Sequence, residues 1–502
     1  MNKELKDSFF NDINGHSLDI SQRKAILDES DSLLVVAGAG SGKTLTIIGK
    51  IKYLIEKKGI KPEEILCISF TNETVNSLME KLDYPVKVQT FHKLALSILN
   101  ENDVKYQIVS DDELDFIVEE YFENENFNNR YKQAILDYFN YENNKTFTYK
   151  DITKFREFQE YKKDIITFIK RIECYNHKLE DIKKYFIENQ KYKDPLRRVN
   201  YCFMLIALDI YNIYLKEIQS YKGIDFDQMI SYAIDLVKKN GINTKYKHII
   251  VDEFQDTSFV RYNLLKEIVI QTGAKVFCVG DDYQSIYAFS GCNIDLFIKF
   301  REYFKNANIR FITKTYRNSY ELVNITSRFI LKNKFQLKKN IKANFTLRRP
   351  IKIVYYRKSI YKQMFKKVLD YIIDSGETKI LVLGRNNDDI KNVVAISGNF
   401  FIYRGIKIKY LSVHKSKGLE EDNVIILNCS DSISGFPNKM KYNKIFNFIG
   451  KSNDNYEYSE ERRLFYVALT RARKYVYIMA PYSNESIFVK EIKNRVQVLT
   501  IK

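Results

Sequence analysis

Short continuous apolar runs are the clearest pattern along this chain. Leu33-Leu-Val-Val36 leads into a glycine-rich turn and then the amphipathic stretch Leu45-Thr-Ile-Ile-Gly-Lys-Ile-Lys-Tyr-Leu-Ile55, which predicts strand, loop and helix. Further apolar runs predict strands at Ile65–Phe70, His248–Val251, Lys275–Val279, Lys379–Gly384, Ile406–Val413, Asn423–Leu427 and Tyr475–Met479. Runs apolar at successive positions, alternating with helical stretches, belong in parallel sheets covered on both faces. The stretch from Lys93 to Tyr221 differs: it is rich in Tyr, Phe, Lys, Glu and Asn at helical spacing, with few turn signals. The pattern predicts an α/β protein with two parallel sheets and a helical insert in the first. The expected divisions are 1–92 and 223–310 for the first unit, 93–222 for the insert and 311–502 for the second unit.

Composition changes this picture little. The chain has 502 residues, 45% hydrophobic and 29% charged, as in ordinary globular proteins. No run of eighteen apolar residues and no apolar leader follow Met1, so a cytoplasmic setting is expected. Six scattered cysteines lack any Cys-x-x-Cys pair, and the lone Cys174/His177 spacing has no second pair to complete a metal site. The net charge of +18 favours polyanionic partners. A lysine-rich composition with 37 Tyr and no Trp also follows from an AT-rich genome, so charge alone does not identify the partner.

The turn after the first strand carries the chemistry. Glycine is scarce, 18 in the chain, yet Gly38, Gly40 and Gly42 fall within five positions of Ala37-Gly-Ala-Gly-Ser-Gly-Lys-Thr44. Between a strand and a helix, such a loop turns backbone N–H groups onto phosphates. Gly38, Ala39, Gly40, Ser41 and Gly42 are the cradle, Lys43 the charge for the β/γ oxygens and Thr44 the hydroxyl for Mg²⁺. The run Ile249-Ile-Val-Asp252-Glu253 completes the chemistry, with Asp252 for the Mg²⁺ shell and Glu253 to orient or deprotonate the attacking water. ATP and Mg²⁺ are the expected ligands.

In chain order, Asp19-Ile-Ser-Gln22, Ser69-Phe-Thr-Asn-Glu73, Gln89-Thr-Phe-His92, Asp252-Glu-Phe-Gln-Asp-Thr257, Val279-Gly-Asp-Asp-Tyr-Gln-Ser-Ile-Tyr-Ala-Phe-Ser-Gly291, Thr315-Tyr-Arg-Asn318, Val413-His-Lys-Ser-Lys-Gly-Leu-Glu420 and Glu460–Ala472 surround that site. In wording and order they resemble the motifs of the UvrD/Rep group of superfamily 1 helicases. Phe289-Ser-Gly, His414-Lys-Ser-Lys-Gly and Gly435-Phe-Pro are most similar to its helicase IV branch. The resemblance implies two RecA-like motor domains and an ATP-dependent helicase moving 3′ to 5′ on single-stranded DNA, with 3′-tailed duplexes as substrates. By the same resemblance Gln22 would read adenine, Tyr316 stack on it and Glu420 accept from the ribose. Gln284 would bond the γ-phosphate, and Arg317 and Arg471 would be arginine fingers. Phe70, Thr71, Thr90, Phe91, His92, Tyr287, Phe289, Arg385 and His414 would line the strand, where aromatic stacking is worth about 1–3 kcal/mol per base.

Three departures qualify this. Glu73 stands where a basic residue is usual, and Leu45 where many relatives carry Arg. Between Arg385 and Ser412 the group carries a large regulatory domain, and this chain leaves only a short connection near 388–411. No fused nuclease is expected after Arg471. The second reading is therefore a translocase that strips proteins or serves a nuclease partner in repair or phage defence, with little unwinding alone.

Overall fold

The computed structural model describes residues 4–110, 112–123, 132–140, 146, 148–175, 180–182, 184, 195–395, 398–439, 446–449 and 453–501. Its first sheet contains β1 (Ser32–Val36), β2 (Ile65–Ser69), β3 (Lys87–Thr90), β4 (His248–Val251), β5 (Lys275–Gly280) and β6 (Ala307–Phe311). They lie in the order β3-β2-β4-β5-β1-β6, with every pairing parallel. Leu34, Val36, Leu66, Ile68, Ile249 and Val251 enter one core, beneath the helices Phe91–Glu101, Phe226–Asn240 and Phe259–Thr272. Their neighbours Leu33, Val35, Ile65, Cys67 and Ile250 enter another, beneath the helix Lys43–Glu56. Both faces are covered, which is why these strands show no polar alternation.

The second sheet contains β7 (Ile351–Tyr356), β8 (Ile380–Gly384), β9 (Phe400–Tyr403), β10 (Ile406–Ser412), β11 (Glu421–Ile426), β12 (Ala472–Pro481) and β13 (Gln497–Val498). Their order is β9-β10-β8-β11-β12-β7-β13, parallel except for the β9–β10 hairpin. That hairpin turns at Arg404 and Gly405, both at positive φ. With the 3₁₀ turn Asp389–Asn392 it occupies most of the stretch 388–411, of which residues 396 and 397 lie outside the described residues.

Five strands of these two sheets went unmarked by apolar runs, among them β3, β6 and β7. β3 is a four-residue strand, Lys-Val-Gln-Thr, and β6 is a half-exposed edge with Asn308 and Arg310. In β7 Lys352 interrupts the run, yet it is buried with its ammonium 4.1 Å from the Tyr475 ring centroid and 4.9 Å from that of Tyr477. Tyrosine faces stabilise a cation that would otherwise lose its hydration.

The helices Asp112–Glu123, Arg156–Cys174 and Pro195–Ser220 share a separate core that runs from Val109 to Ile218. Helix Phe91–Glu101 packs on the first sheet instead. Phe446 and Ile449, from the later part of the chain, are also buried in the insert's core, with the Arg171 guanidinium 4.9 Å from the Phe446 ring. Among the described residues no helix is long and apolar enough to cross a membrane, and no group of three or more His, Cys, Asp and Glu is arranged to hold a metal. Cys174 is a buried thiol, and His177 lies outside the described residues.

Candidate nucleotide and nucleic-acid site

Strands β4, β5 and β1 are neighbours in one parallel sheet, so the segments at their carboxyl ends meet. Those ends carry Asp252 and Glu253, Asp281, and the loop Ala37–Thr44. Crevices at the carboxyl ends of parallel strands are where open α/β sheets bind ligands.

The loop needs its glycines twice over. Gly40 and Gly42 have φ of +66° and +79°, and Gly42 begins the helix Lys43–Glu56. A Cβ at Gly40 would lie 2.3 Å from Arg317 Cβ, and one at Gly38 would lie 2.6 Å from Ile341 Cδ1. The chain leaving β6 is thus pressed against the loop: Thr315 Oγ1 donates to the Ala39 carbonyl at 2.7 Å and Tyr316 N to that of Gly40 at 2.9 Å. Within the loop, the Ser41 hydroxyl is buried with no hydrogen-bond partner. A buried unpaired donor beside a helix N-terminus and Lys43 suits an oxyanion.

Glu253 has φ +50° and ψ 43°, a left-handed conformation that a glutamate adopts only under constraint. Its carboxylate lies 3.0 and 3.1 Å from Lys43 Nζ and accepts from Gln255 Nε2 at 2.6 Å. Burial alone would raise its pKa, but Lys43 and Lys417 outweigh that and hold it at about 2. Asp252, by contrast, is pushed up to about 7 by burial and by the adjacent Glu253 charge. A buried carboxylate whose charge is this poorly compensated fits a divalent cation, with Thr44 as its neighbour at the helix start.

From Glu253 a chain of polar side chains crosses to the second sheet. Gln255 Oε1 accepts from Asp281 N at 2.9 Å, and Asp281 Oδ2 accepts from Gln284 Nε2 at 2.5 Å. Gln284 Oε1 in turn accepts from Arg471 Nη2 at 3.0 Å. Arg471 is 1% exposed and also donates to the carbonyls of Val467 and Leu419, both at 3.0 Å. Burial and the nearby Arg317 lower its pKa to about 9, which leaves it charged at neutral pH. Arg317 pairs with Glu420, and Glu420 also holds Arg473 through two hydrogen bonds. The carboxylate expected to meet a ribose is therefore occupied by two arginines here.

Gln22, expected to read adenine, stands beside the phosphate loop. Its side chain is fully buried behind the loop, with Nε2 at 3.4 Å from the Ser41 and Gly42 carbonyls and Oε1 accepting from Asp19 N. It ties a capped helix start to the phosphate loop. Tyr316 is 44% exposed, and its hydroxyl donates to Asp19 at 3.3 Å.

The residues expected to line a strand divide into two sets. Phe70 and Tyr287 stack with ring centroids 5.4 Å apart, and Tyr287, Phe289 and His414 form a second aromatic group with centroids 5.4–6.3 Å apart. Phe289 is 56% exposed, so its ring offers a free face. Burial, with Arg385 and Lys417 nearby, lowers the His414 pKa to about 4, so its imidazole is neutral. Phe91 is not part of this surface: its ring is packed in the core of the first sheet. Thr71 and Thr90 cap the helices Asn72–Met79 and Phe91–Glu101, and the His92 ring meets Phe226 edge-on. Arg385 is held by Glu461 through a forked pair at 2.6–3.0 Å.

Residues 18–305 match the model of the UvrD/REP helicase N-terminal domain, and residues 398–483 that of the UvrD-like helicase C-terminal domain. The chain belongs to the UvrD/REP helicase family. Its two sheets are the RecA-like domains of such helicases, which are ATP-hydrolysing enzymes. The chain is 28% identical over 517 residues to DNA helicase IV of Escherichia coli (strain K12), covering 97% of this chain and 71% of that protein. It is 27% identical over 360 residues to DNA helicase II of Rickettsia typhi and 26% over 348 residues to ATP-dependent DNA helicase PcrA of Bacillus subtilis. It spans only 50% and 42% of those two.

In this helicase several site residues escaped the sequence reading. Lys417 pairs with Asp256, donates to the Gln284 carbonyl at 2.8 Å and lies 4.9 Å from the Tyr287 ring, touching both halves of the site. Asp281 and Gln255 link Glu253 to Gln284. Lys417, Asp256, Gln255 and Asp281 stand inside the motifs at 413–420, 252–257 and 279–291, where each is a polar residue beside one already assigned a role.

Lys43→Ala is expected to abolish ATP turnover while leaving single-strand binding largely intact, because no residue of the aromatic group touches Lys43. Phosphate release and fluorescence anisotropy of a labelled oligonucleotide check the two halves, and parallel losses of both would refute the separation.

Proposed function

We propose that this helicase hydrolyses ATP to move 3′ to 5′ along single-stranded DNA and couples that movement to opening of the duplex ahead. The observation that carries the reading is the unbroken path Lys43–Glu253–Gln255–Asp281–Gln284–Arg471 between the two sheets. Gln284 lies three residues before Tyr287, so one short segment faces both the nucleotide and the aromatic group.

Lys43 is the residue that a γ-phosphate would draw away from Glu253, which leaves that carboxylate to orient and deprotonate the attacking water. Thr44 and Asp252 would hold Mg²⁺, whose charge when bound neutralises β- and γ-phosphate oxygens. Arg317 and Arg471 would stabilise charge developing in the transition state. Because both stand beyond the first sheet, turnover depends on closure of the cleft, and that dependence converts hydrolysis into movement. Phe289, Tyr287 and Phe70 would stack on bases without regard to their identity, as a translocating enzyme requires.

The 3₁₀ turn and short hairpin that fill most of 388–411, where the group carries a large regulatory domain, favour a second reading. In it the chain translocates and displaces proteins, or serves a nuclease partner, and unwinds little alone. Strand displacement on 3′-tailed and 5′-tailed duplexes separates the two. Opening of the 3′-tailed duplex only is expected. Strand-stimulated hydrolysis without opening would leave the translocase reading, and hydrolysis indifferent to single strands would sink both. Matched RNA oligomers in the same assay test the preference for DNA.

A further inference from the structure

Lys339 lies in the connection that leaves helix Tyr320–Ile330 and enters β7, outside every motif identified in the sequence. Its side chain is 2% exposed, yet it is a lysine. The ammonium pairs with both Asp281 and Asp282, the latter at 2.6 Å, lies 3.7 Å from the Tyr283 ring centroid, and approaches the Ala37 carbonyl at 3.4 Å. A buried ammonium survives only where carboxylates or aromatic faces replace its water, and here both do.

The surrounding backbone holds it there. Tyr283 Oη donates to the Leu337 carbonyl at 2.7 Å, and Leu337 N donates to Asp282 Oδ2 at 2.8 Å. Two residues beyond Lys339, the Ile341 side chain fills the space beside Gly38. The connection between the two halves is thus clamped to both the phosphate loop and the segment 281–284.

The consequence falls on Gln284. An amide can turn over, exchanging its donor and acceptor ends at little cost unless its partners forbid it. Arg471 can only donate, so it demands the amide oxygen. Asp281 Oδ2 accepts from the amide nitrogen, and it does so only while its carboxylate is held facing Gln284. Lys339 pairs with Asp281 Oδ1 and so leaves Oδ2 turned to Gln284, and without it the two adjacent buried carboxylates lose the cation that pairs with both. Arg471 then still holds the amide oxygen, but the amide nitrogen loses its fixed partner and the side chain keeps one anchor of two.

We propose that Lys339 is a positioning residue for ATP hydrolysis, which pins the Asp281 carboxylate and through it holds the amide of Gln284 against Arg471. This rests on the reading of Gln284 as the γ-phosphate contact. The test compares Lys339→Met, Gln284→Ala and the double variant in the full chain, with saturating single-stranded DNA. Misplacing a catalytic contact costs about 10²-fold in turnover. Lys339→Met is expected to lower kcat by that order, leave KM for ATP unchanged, and add nothing to the loss caused by Gln284→Ala.

Wild-type turnover in Lys339→Met, a rise in KM with kcat kept, or a loss that multiplies with that of Gln284→Ala would each overturn the proposal. If Gln284→Ala itself turns over normally, the reading of Gln284 falls and this inference with it. If Gln284→Ala is impaired and Lys339→Met is not, only this inference falls. Should Lys339→Met fail to fold, Lys339→Met with Asp282→Asn restores the net buried charge and carries the same comparison, with thermal unfolding as the control.

Discussion

Arg317→Ala is expected to lower strand-stimulated ATP turnover by about 10³–10⁵-fold, the range found when an arginine that stabilises a phosphoryl-transfer transition state is lost. Arg317 Cβ occupies the space that a side chain at Gly40 would need, so its guanidinium starts from the edge of the phosphate loop. Its other anchors are the Thr470 carbonyl at 3.4 Å and Glu420, a partly exposed carboxylate that Arg473 also neutralises. Removing Arg317 therefore leaves no buried charge alone, and partly exposed ion pairs of this kind contribute about 0–1 kcal/mol to stability. Turnover should collapse while the unfolding temperature stays close to that of the wild type. Arg471→Ala is a less clean experiment, because it strips hydrogen bonds from Gln284, Val467 and Leu419 in a fully buried setting. Steady-state phosphate release at saturating ATP and oligonucleotide, paired with a thermal melt, decides the matter. Turnover within tenfold of wild type would remove Arg317 from the reaction.

Glu253→Gln should cost about 10²–10⁴-fold in the chemical step, the usual contribution of a positioned general base. The replacement keeps shape, so the constrained backbone at residue 253 and the hydrogen bond from Gln255 can persist. What disappears is the charge that pairs with Lys43 and the capacity to take a proton from water. Lys43, released from its carboxylate partner, becomes more available to phosphate, so ATP should bind at least as tightly as before. Single-turnover measurements should find bound ATP persisting on the strand complex. A wild-type rate of cleavage in that assay would show that Glu253 is not the base, and weakened ATP binding would show that its main work is to position Lys43.

Much of this site was legible because its chemistry is contiguous. A phosphate loop is eight residues long and sits where a strand becomes a helix, so composition and periodicity locate it together. Asp252 and Glu253 end an apolar run for the same reason. The buried strands announced themselves because a sheet covered on both faces tolerates few polar residues, and β7 escaped because tyrosine rings shelter Lys352. Arg317 and Arg471 carry no local signal at all, and only resemblance to a known motif order singled them out.

Contacts between distant segments were decided by the assembled fold. Phe91 and Phe289 are both phenylalanines beside motif residues, yet one is sealed in the core of the first sheet and the other shows a ring to solvent. The approach of the Gln22 helix to the phosphate loop sets its amide against the Ser41 and Gly42 carbonyls, a contact between segments about twenty residues apart. Phe446 and Ile449 look like ordinary apolar positions of the second unit, but they complete the core of the insert. Lys339 is one of 81 lysines and arginines, and nothing near it in the chain marks it as buried between two aspartates. The sequence by itself determined the fold class and the chemistry of the phosphate site, because both depend on residues within a few positions of one another. The tertiary structure alone decided which charges are paired, which rings are free and how the two sheets are joined. Burial and ion pairing depend on neighbours brought together across hundreds of residues, and no local pattern encodes them.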